Sequence, residues 1–96
     1  MARRRYLVTY DVSDDKRRTG IFHALRDRGD HAQYSVFFCE LNPTELAFLR
    51  IELRKHLHER EDQILILDLG NADNPLESGM ECLGKGYEPP GRVLVV

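Results

Sequence analysis

Within its first seventy residues the chain switches repeatedly between a hydrophobic period of two and a period near 3.6, and no single segment is long enough to bury itself. Such a sequence can fold only by laying short helices on a sheet made from the segments between them. From Arg5 to Asp11, Tyr6, Val8 and Tyr10 alternate with Leu7, Thr9 and Asp11 in a run rich in β-branched and aromatic residues, which predicts a strand. Ser13 then reads as a helix N-cap, with Asp14 and Asp15 in the first turn, where the helix dipole favours negative charge. The helix runs to about Arg28 with Ile21, Ala24, Leu25 and the stem of Arg28 as its inward stripe, and Gly29 is placed to end it.

His31 to Leu41 has strong β preference through Tyr34, Val36, Phe37 and Phe38, and fits either two short strands turning near Tyr34-Ser35 or one bent strand. Asn42-Pro43-Thr44-Glu45 carries a complete helix-start signal: a capping Asn, Pro at the first helical position, and Glu three residues after the cap. Leu46, Leu49, Leu53 and Leu57 mark the buried face of that helix, with Phe48 and Ile51 opposite. Gln63 to Leu69 is a further strand whose Ile64-Leu65-Ile66-Leu67 core is apolar on both faces, a pattern of strands covered on both sides. Gly70 to Gly91 is rich in Gly and Pro, and Arg92 to Val96 offers a last apolar strand.

At 96 residues and 42% hydrophobic, the chain suits one modest core. The order predicts an α+β, ferredoxin-like βαββαβ sandwich over residues 1–70, followed by a tail over 71–96 whose terminal strand completes a sheet at a dimer interface. A homodimer with stacked or edge-exchanging sheets would cover the face the helices leave bare. The longest apolar run of the strand region is far short of a membrane span, Met1 to Arg5 leads into a strand pattern where a signal peptide needs a longer apolar stretch, and Cys39 and Cys82 form no CxxC pair. The expectation is a cytoplasmic protein with no membrane partner and with Cys39 as a buried free thiol. His23, His31, His56 and His58 have no metal-ligand spacing, and Ser35 has no evident triad partners.

The net charge of −2 argues against an all-over basic nucleic-acid binder, yet charge is segregated. Residues 1–28 hold eight Lys/Arg against four Asp/Glu, and the remainder six against twelve. Segregation of this kind can build a local positive field on an acidic protein. Arg4, Arg5, Lys16, Arg17 and Arg18 are the candidate phosphate contacts. Asp11 is a lone carboxylate beside them; Mg²⁺ is typically held by one or two carboxylates plus substrate phosphates, so a two-fold dimer could supply the second from its partner.

The segments VTYDVSDDKRR and QYSVFFCEL resemble the small adaptation endonucleases of CRISPR systems, partners of the spacer integrase, over Tyr6 to about Leu69. The resemblance implies a ferredoxin-like homodimer, Mg²⁺ bound by Asp11 at the dimer interface, and phosphodiesterase activity on RNA or DNA. It further implies roles in activity or binding for Tyr10, Arg18, Ser35 and Phe37, and a part in spacer acquisition. The alternatives are a non-catalytic, dimeric DNA-binding scaffold for the integrase and a toxin-type ribonuclease of similar fold. Three positions depart from the family pattern: His31 replaces an Arg, Phe38 a Glu, and Gly20 a basic residue of the first helix.

Overall fold

The computed structural model describes residues 2–87. Its elements are β1 (Arg4–Asp11), α1 (Asp15–Arg26), β2 (Asp30–Gln33), β3 (Val36–Leu41), α2 (Pro43–His56), β4 (Gln63–Asn71) and a 3₁₀ turn, Leu76–Gly79. The strands lie in the order β2-β3-β1-β4 with every neighbouring pair antiparallel, the ferredoxin-like arrangement. Both helices cover one face. Tyr6, Val8 and Tyr10 of β1 and Phe37, Cys39 and Leu41 of β3 meet Ile21, Ala24 and Leu25 of α1 and Leu46, Leu49 and Leu53 of α2 in a single buried cluster. Burial raises the Cys39 thiol to about 11, so it behaves as a small apolar side chain.

Helix α2 starts as its sequence demands. Asn42 Oδ1 accepts from the Glu45 N–H at 2.8 Å while Glu45 Oε1 accepts from the Asn42 N–H at 2.9 Å, a closed capping box. Helix α1 begins one residue later than expected: Asp14, not Ser13, is the cap, its carboxylate accepting from the Arg17 N–H at 2.8 Å. The longer side chain of Asp14 reaches that amide and carries the charge the helix dipole favours. The helix also ends earlier, at Arg26. Gly29 is therefore not its terminator but a point of close passage. A Cβ there would lie 2.4 Å from Cys39 Sγ and 2.7 Å from the Phe38 carbonyl oxygen.

Between β2 and β3 the chain turns on Tyr34-Ser35, so the segment from His31 to Leu41 is two strands. Ser35 has φ of 63°, the left-handed conformation that such tight turns demand. The departure at Gly20 also has a structural cause. The imidazole of His56 on α2 lies where a Cβ would fall, 2.4 Å from its Nδ1, so the missing side chain lets the two helices close.

Neither α1 nor α2 covers the second face of the sheet. Ile64 and Ile66 turn toward the core and are half-buried, whereas Leu65, Leu67 and Leu69 remain 47%, 46% and 48% exposed, so among the described residues the two-sided cover expected of β4 is incomplete. Part of this face is met by residues after β4. Met80 and Tyr87 line a cavity with Leu7, Val36 and Phe38, and the Tyr87 ring meets Phe38 edge-on at 6.2 Å. The terminal strand expected over Arg92 to Val96 lies outside the described residues.

The two close-packed glycines differ in what they face, and this sets an ordering of substitutions. Gly29→Ala drives a methyl into a backbone oxygen that cannot swing aside and should lower unfolding stability by about 1–3 kcal/mol. Gly20→Ala meets a side chain that can rotate and regains roughly 1 kcal/mol of helix propensity, so its urea midpoint should fall less.

Candidate active site at the end of the first strand

Strand β1 delivers Tyr10 and Asp11 to the end of the sheet, and because neighbouring strand residues point to opposite faces the two part company there. Tyr10 enters the helix layer, where its ring stacks on Phe37 with centroids 6.4 Å apart, and its N–H donates to the Ser35 carbonyl at 3.2 Å. Burial raises the Tyr10 phenol above its ordinary value, an effect partly offset by the Ser35 side chain and the Arg18 charge. The phenol is therefore a neutral hydrogen-bonding group at pH 7. Asp11 is exposed on the opposite face, across from Gln63 of β4.

The turn that follows is clasped by Arg18. Its Nη1 donates to the carbonyls of Val12 at 2.9 Å and Ser13 at 3.2 Å, and its Nη2 pairs with Asp15. Arg18 also opens, with Tyr10 and Ser35, onto a cleft of about 200 Å³ between α1 and the β2–β3 hairpin. Three of the expected residues are thus brought together. Phe37 is not exposed to any ligand. It is fully buried beneath them, and its place in the site is to support the Tyr10 ring.

The expected basic cluster disperses. Arg17 makes a two-pronged contact with Asp62, Nε to Oδ2 at 2.8 Å and Nη2 to Oδ1 at 3.1 Å, tying α1 to the loop before β4. Arg4 spans both oxygens of Asp68 on the neighbouring strand. Arg5 is buried, with its guanidinium on Glu40 at 2.8 Å and on the carbonyls of Asn74 at 2.6 Å and Ala72 at 3.1 Å. That side chain straps the residues after β4 to the sheet and has no face left for a phosphate. Lys16 is exposed and has no ion-pair partner among the described residues. Phe22, His31 and Tyr34 also line the cleft; Phe22 is an apolar residue only partly buried against the core, and its four-residue spacing from Arg18 signals a shared face.

Asp11 is exposed and, among the described residues, claimed by no arginine or lysine, unlike Asp62 and Asp68; such a carboxylate is a hard oxygen donor suited to Mg²⁺. Among the described residues no three His, Cys, Asp or Glu side chains gather, so such an ion would need ligands beyond this protomer's Asp11.

The family model described as CRISPR associated protein Cas2 matches residues 4–74. The chain belongs to the Cas2 family. A Thermodesulfovibrio yellowstonii protein named CRISPR-associated endoribonuclease Cas2 2 is 41% identical to this Cas2-family chain over 90 residues, 94% of this chain and 93% of its own. A Thermus thermophilus protein named CRISPR-associated endonuclease Cas2 2 is 34% identical, covering 100% of this chain and 99% of its own. Among solved structures, Streptococcus pyogenes Cas2 superposes with a TM-score of 0.73 at 32% identity, over 83% of this chain and 99% of that one. A hypothetical protein from Thermus thermophilus gives a TM-score of 0.76 at 34% identity, over 91% and 98%.

The Arg17–Asp62 pair can be read through acid. Arg17 foremost, then the His58 N–H at 2.9 Å, holds the Asp62 carboxyl below the ordinary carboxylate range. A carboxyl depressed in the folded state adds stability that is complete above its unfolded value of about 3.9 and is lost as pH falls through the folded value. Arg17→Ala should therefore be less stable than wild type to urea at pH 7, with a gap that holds down to about pH 5 and then narrows on further acidification. A gap of constant size down to pH 2 would show that the pair contributes packing alone.

Proposed function

We propose that this chain is an endonuclease of the CRISPR adaptation system, acting on RNA or DNA as a symmetric dimer, with Mg²⁺ held between the Asp11 carboxylates of two protomers. The observation that carries this reading is the position of Asp11. It is exposed, has no ion-pair partner among the described residues, and lies on the sheet face where Leu65, Leu67 and Leu69 are left nearly half exposed. Packing that face against its copy buries the leucines by the same contact that brings the two strand ends toward one axis, so one interface supplies both the apolar burial and the second carboxylate. The names endoribonuclease and endonuclease carried by its relatives agree with this chemistry.

When bound, Mg²⁺ supplies Lewis-acid polarisation of the phosphate and a water made acidic enough to attack. The protein's own residues do the rest. Asp11 binds and orients the ion, and Lys16, exposed and unpaired, contacts a flanking phosphate. Arg18 holds the β1–α1 turn that follows Asp11 in place and adds positive charge on the helix side of the strand end. Tyr10, neutral and seated on Phe37, fixes the end of β1 against the helix layer. The spacer integrase is the proposed protein partner. A scaffold that holds DNA for the integrase without cutting it would use the same dimer, and is favoured by the lack, among the described residues, of any cluster of three His, Cys, Asp or Glu side chains around Asp11.

Asp11→Ala should abolish Mg²⁺-dependent cleavage of both RNA and duplex DNA while leaving binding in EDTA equal or tighter, since a negative charge leaves a phosphate-facing surface. Wild type that cuts neither substrate in Mg²⁺ would establish the scaffold in place of the enzyme. Lys16→Ala should weaken binding across all sequences and flatten the slope of log affinity against log salt by about 1 for each phosphate that the lysine no longer neutralises. Leu67→Asp places a charge in the apolar patch and should shift the sedimentation profile from dimer to monomer, with loss of cleavage.

A further inference from the structure

The cleft between α1 and the β2–β3 hairpin lies on the helix side of the sheet end, the side away from Asp11. Its walls are aromatic and held rigidly from below. His31 tilts on Phe37 with centroids 4.8 Å apart, and Phe22 meets His31 edge-on at 5.3 Å and Phe37 at 5.6 Å. At its mouth stands Tyr34, 84% exposed at the hairpin turn, a large aromatic ring that the protomer scarcely buries. The neighbouring Ser35 keeps a left-handed backbone to make this turn. Cations flank the rings. Arg18, Phe22 and Arg26 recur every fourth residue on one face of α1, with the Arg26 guanidinium 5.7 Å from the Phe22 centroid.

We infer that this cleft takes one unstacked base of a single-stranded nucleic acid, stacked on Tyr34 and His31, with the adjoining phosphates between Arg18 and Arg26. The inference rests on the nucleic-acid reading above and adds to it the form of substrate that the helix side of the site selects. Rings that offer π-faces, interleaved with positive charge, are the chemistry by which single strands are held irrespective of sequence. At about 200 Å³ the cleft is below the size of pockets that bury drug-sized ligands, and suits one ring system. A duplex keeps its bases stacked and paired, so it presents only phosphates here. Asp15, which is exposed, balances Arg18 and is the group a phosphate would displace.

The test is fluorescence anisotropy on wild type, Tyr34→Ala and His31→Ala, using labelled mixed-sequence single strands of RNA and DNA, the same strands with one base removed, and a duplex of the same length. Both substituted residues are exposed, and circular dichroism would verify that each variant is folded. Tyr34→Ala should lower single-strand affinity by roughly 5- to 150-fold, the range expected when one base–aromatic stack is removed. Duplex affinity should stay within two-fold, and the salt slope should not change because every phosphate partner is still in place. On the strand with one base removed, placed where the cleft engages it, wild type should lose most of its advantage over Tyr34→Ala. Tyr34→Ala and His31→Ala both binding single strands within two-fold of wild type would overturn the cleft while leaving Asp11-dependent cleavage standing. If wild type bound neither single strand nor duplex, the nuclease reading and the cleft would fall together.

Discussion

The contact on which the site depends is the seating of Phe37 beneath the end of β1. Its ring is fully buried and touches Tyr10, Phe22 and His31 at once, so a strand, a helix and a hairpin are fixed to one another through a single side chain. Tyr10 is oriented by that contact, and Asp11, one residue on, inherits its position from Tyr10. Interiors packed to crystal-like density transmit such constraints because neighbouring atoms have nowhere else to go. The exposed carboxylate is thus carried on one of the best-buried parts of the molecule, which is how an isolated acidic group can be held still without ligands of its own.

Much of the positive charge near the start of this chain is structural. Arg17 reaches a carboxylate 45 residues away and Arg4 one 64 residues away, and Arg5 satisfies two carbonyls and a glutamate in a partly dry setting. Each of these contacts consumes the planar, multidonor geometry that would otherwise grip a phosphate. What α1 leaves for a ligand is sparse: Lys16, the side of Arg18 that opens onto the helix-side cleft, and Arg26 further along. A basic stretch of sequence and a basic surface are different objects, and the conversion between them is decided by long-range pairing.

This explains what could be read from the residues alone. The elements were legible wherever the signal was local: the alternation of β1, the capping box at Asn42 and the Leu46, Leu49 and Leu53 stripe of α2 each act within a few residues and each has its counterpart in the fold, whereas Leu57, expected on the same face, falls past the helix end as its half-buried C-cap. The ferredoxin-like order followed from them. Choices that depend on distant neighbours were not legible. Gly29 is small because Cys39 and the Phe38 carbonyl pass beside it, and Gly20 because His56 lies over it, facts that no window of α1 contains. Asp11 and Arg18 could be singled out by type and spacing. The aromatic cleft could not, since Phe22, His31 and Tyr34 come from a helix, a strand and a turn that only the folded chain brings together.

The two margins of the sheet are unequal, and this gives the molecule a direction of growth. On one side β2 has only four residues, and its pairing with β3 slips between His31 and Gln33, so its outer hydrogen-bonding groups do not form a straight, continuous row. On the other, β4 runs for nine residues with, among the described residues, a strand on only one side of it. A further strand, from any source, would find its template along β4 and an interrupted one along β2. Assembly by strand addition is therefore one-sided, and a protomer extended in this way ends in a short, irregular margin and not in a second sticky edge. A sheet with two good edges could be extended from both; here one addition along β4 leaves no second template of equal quality.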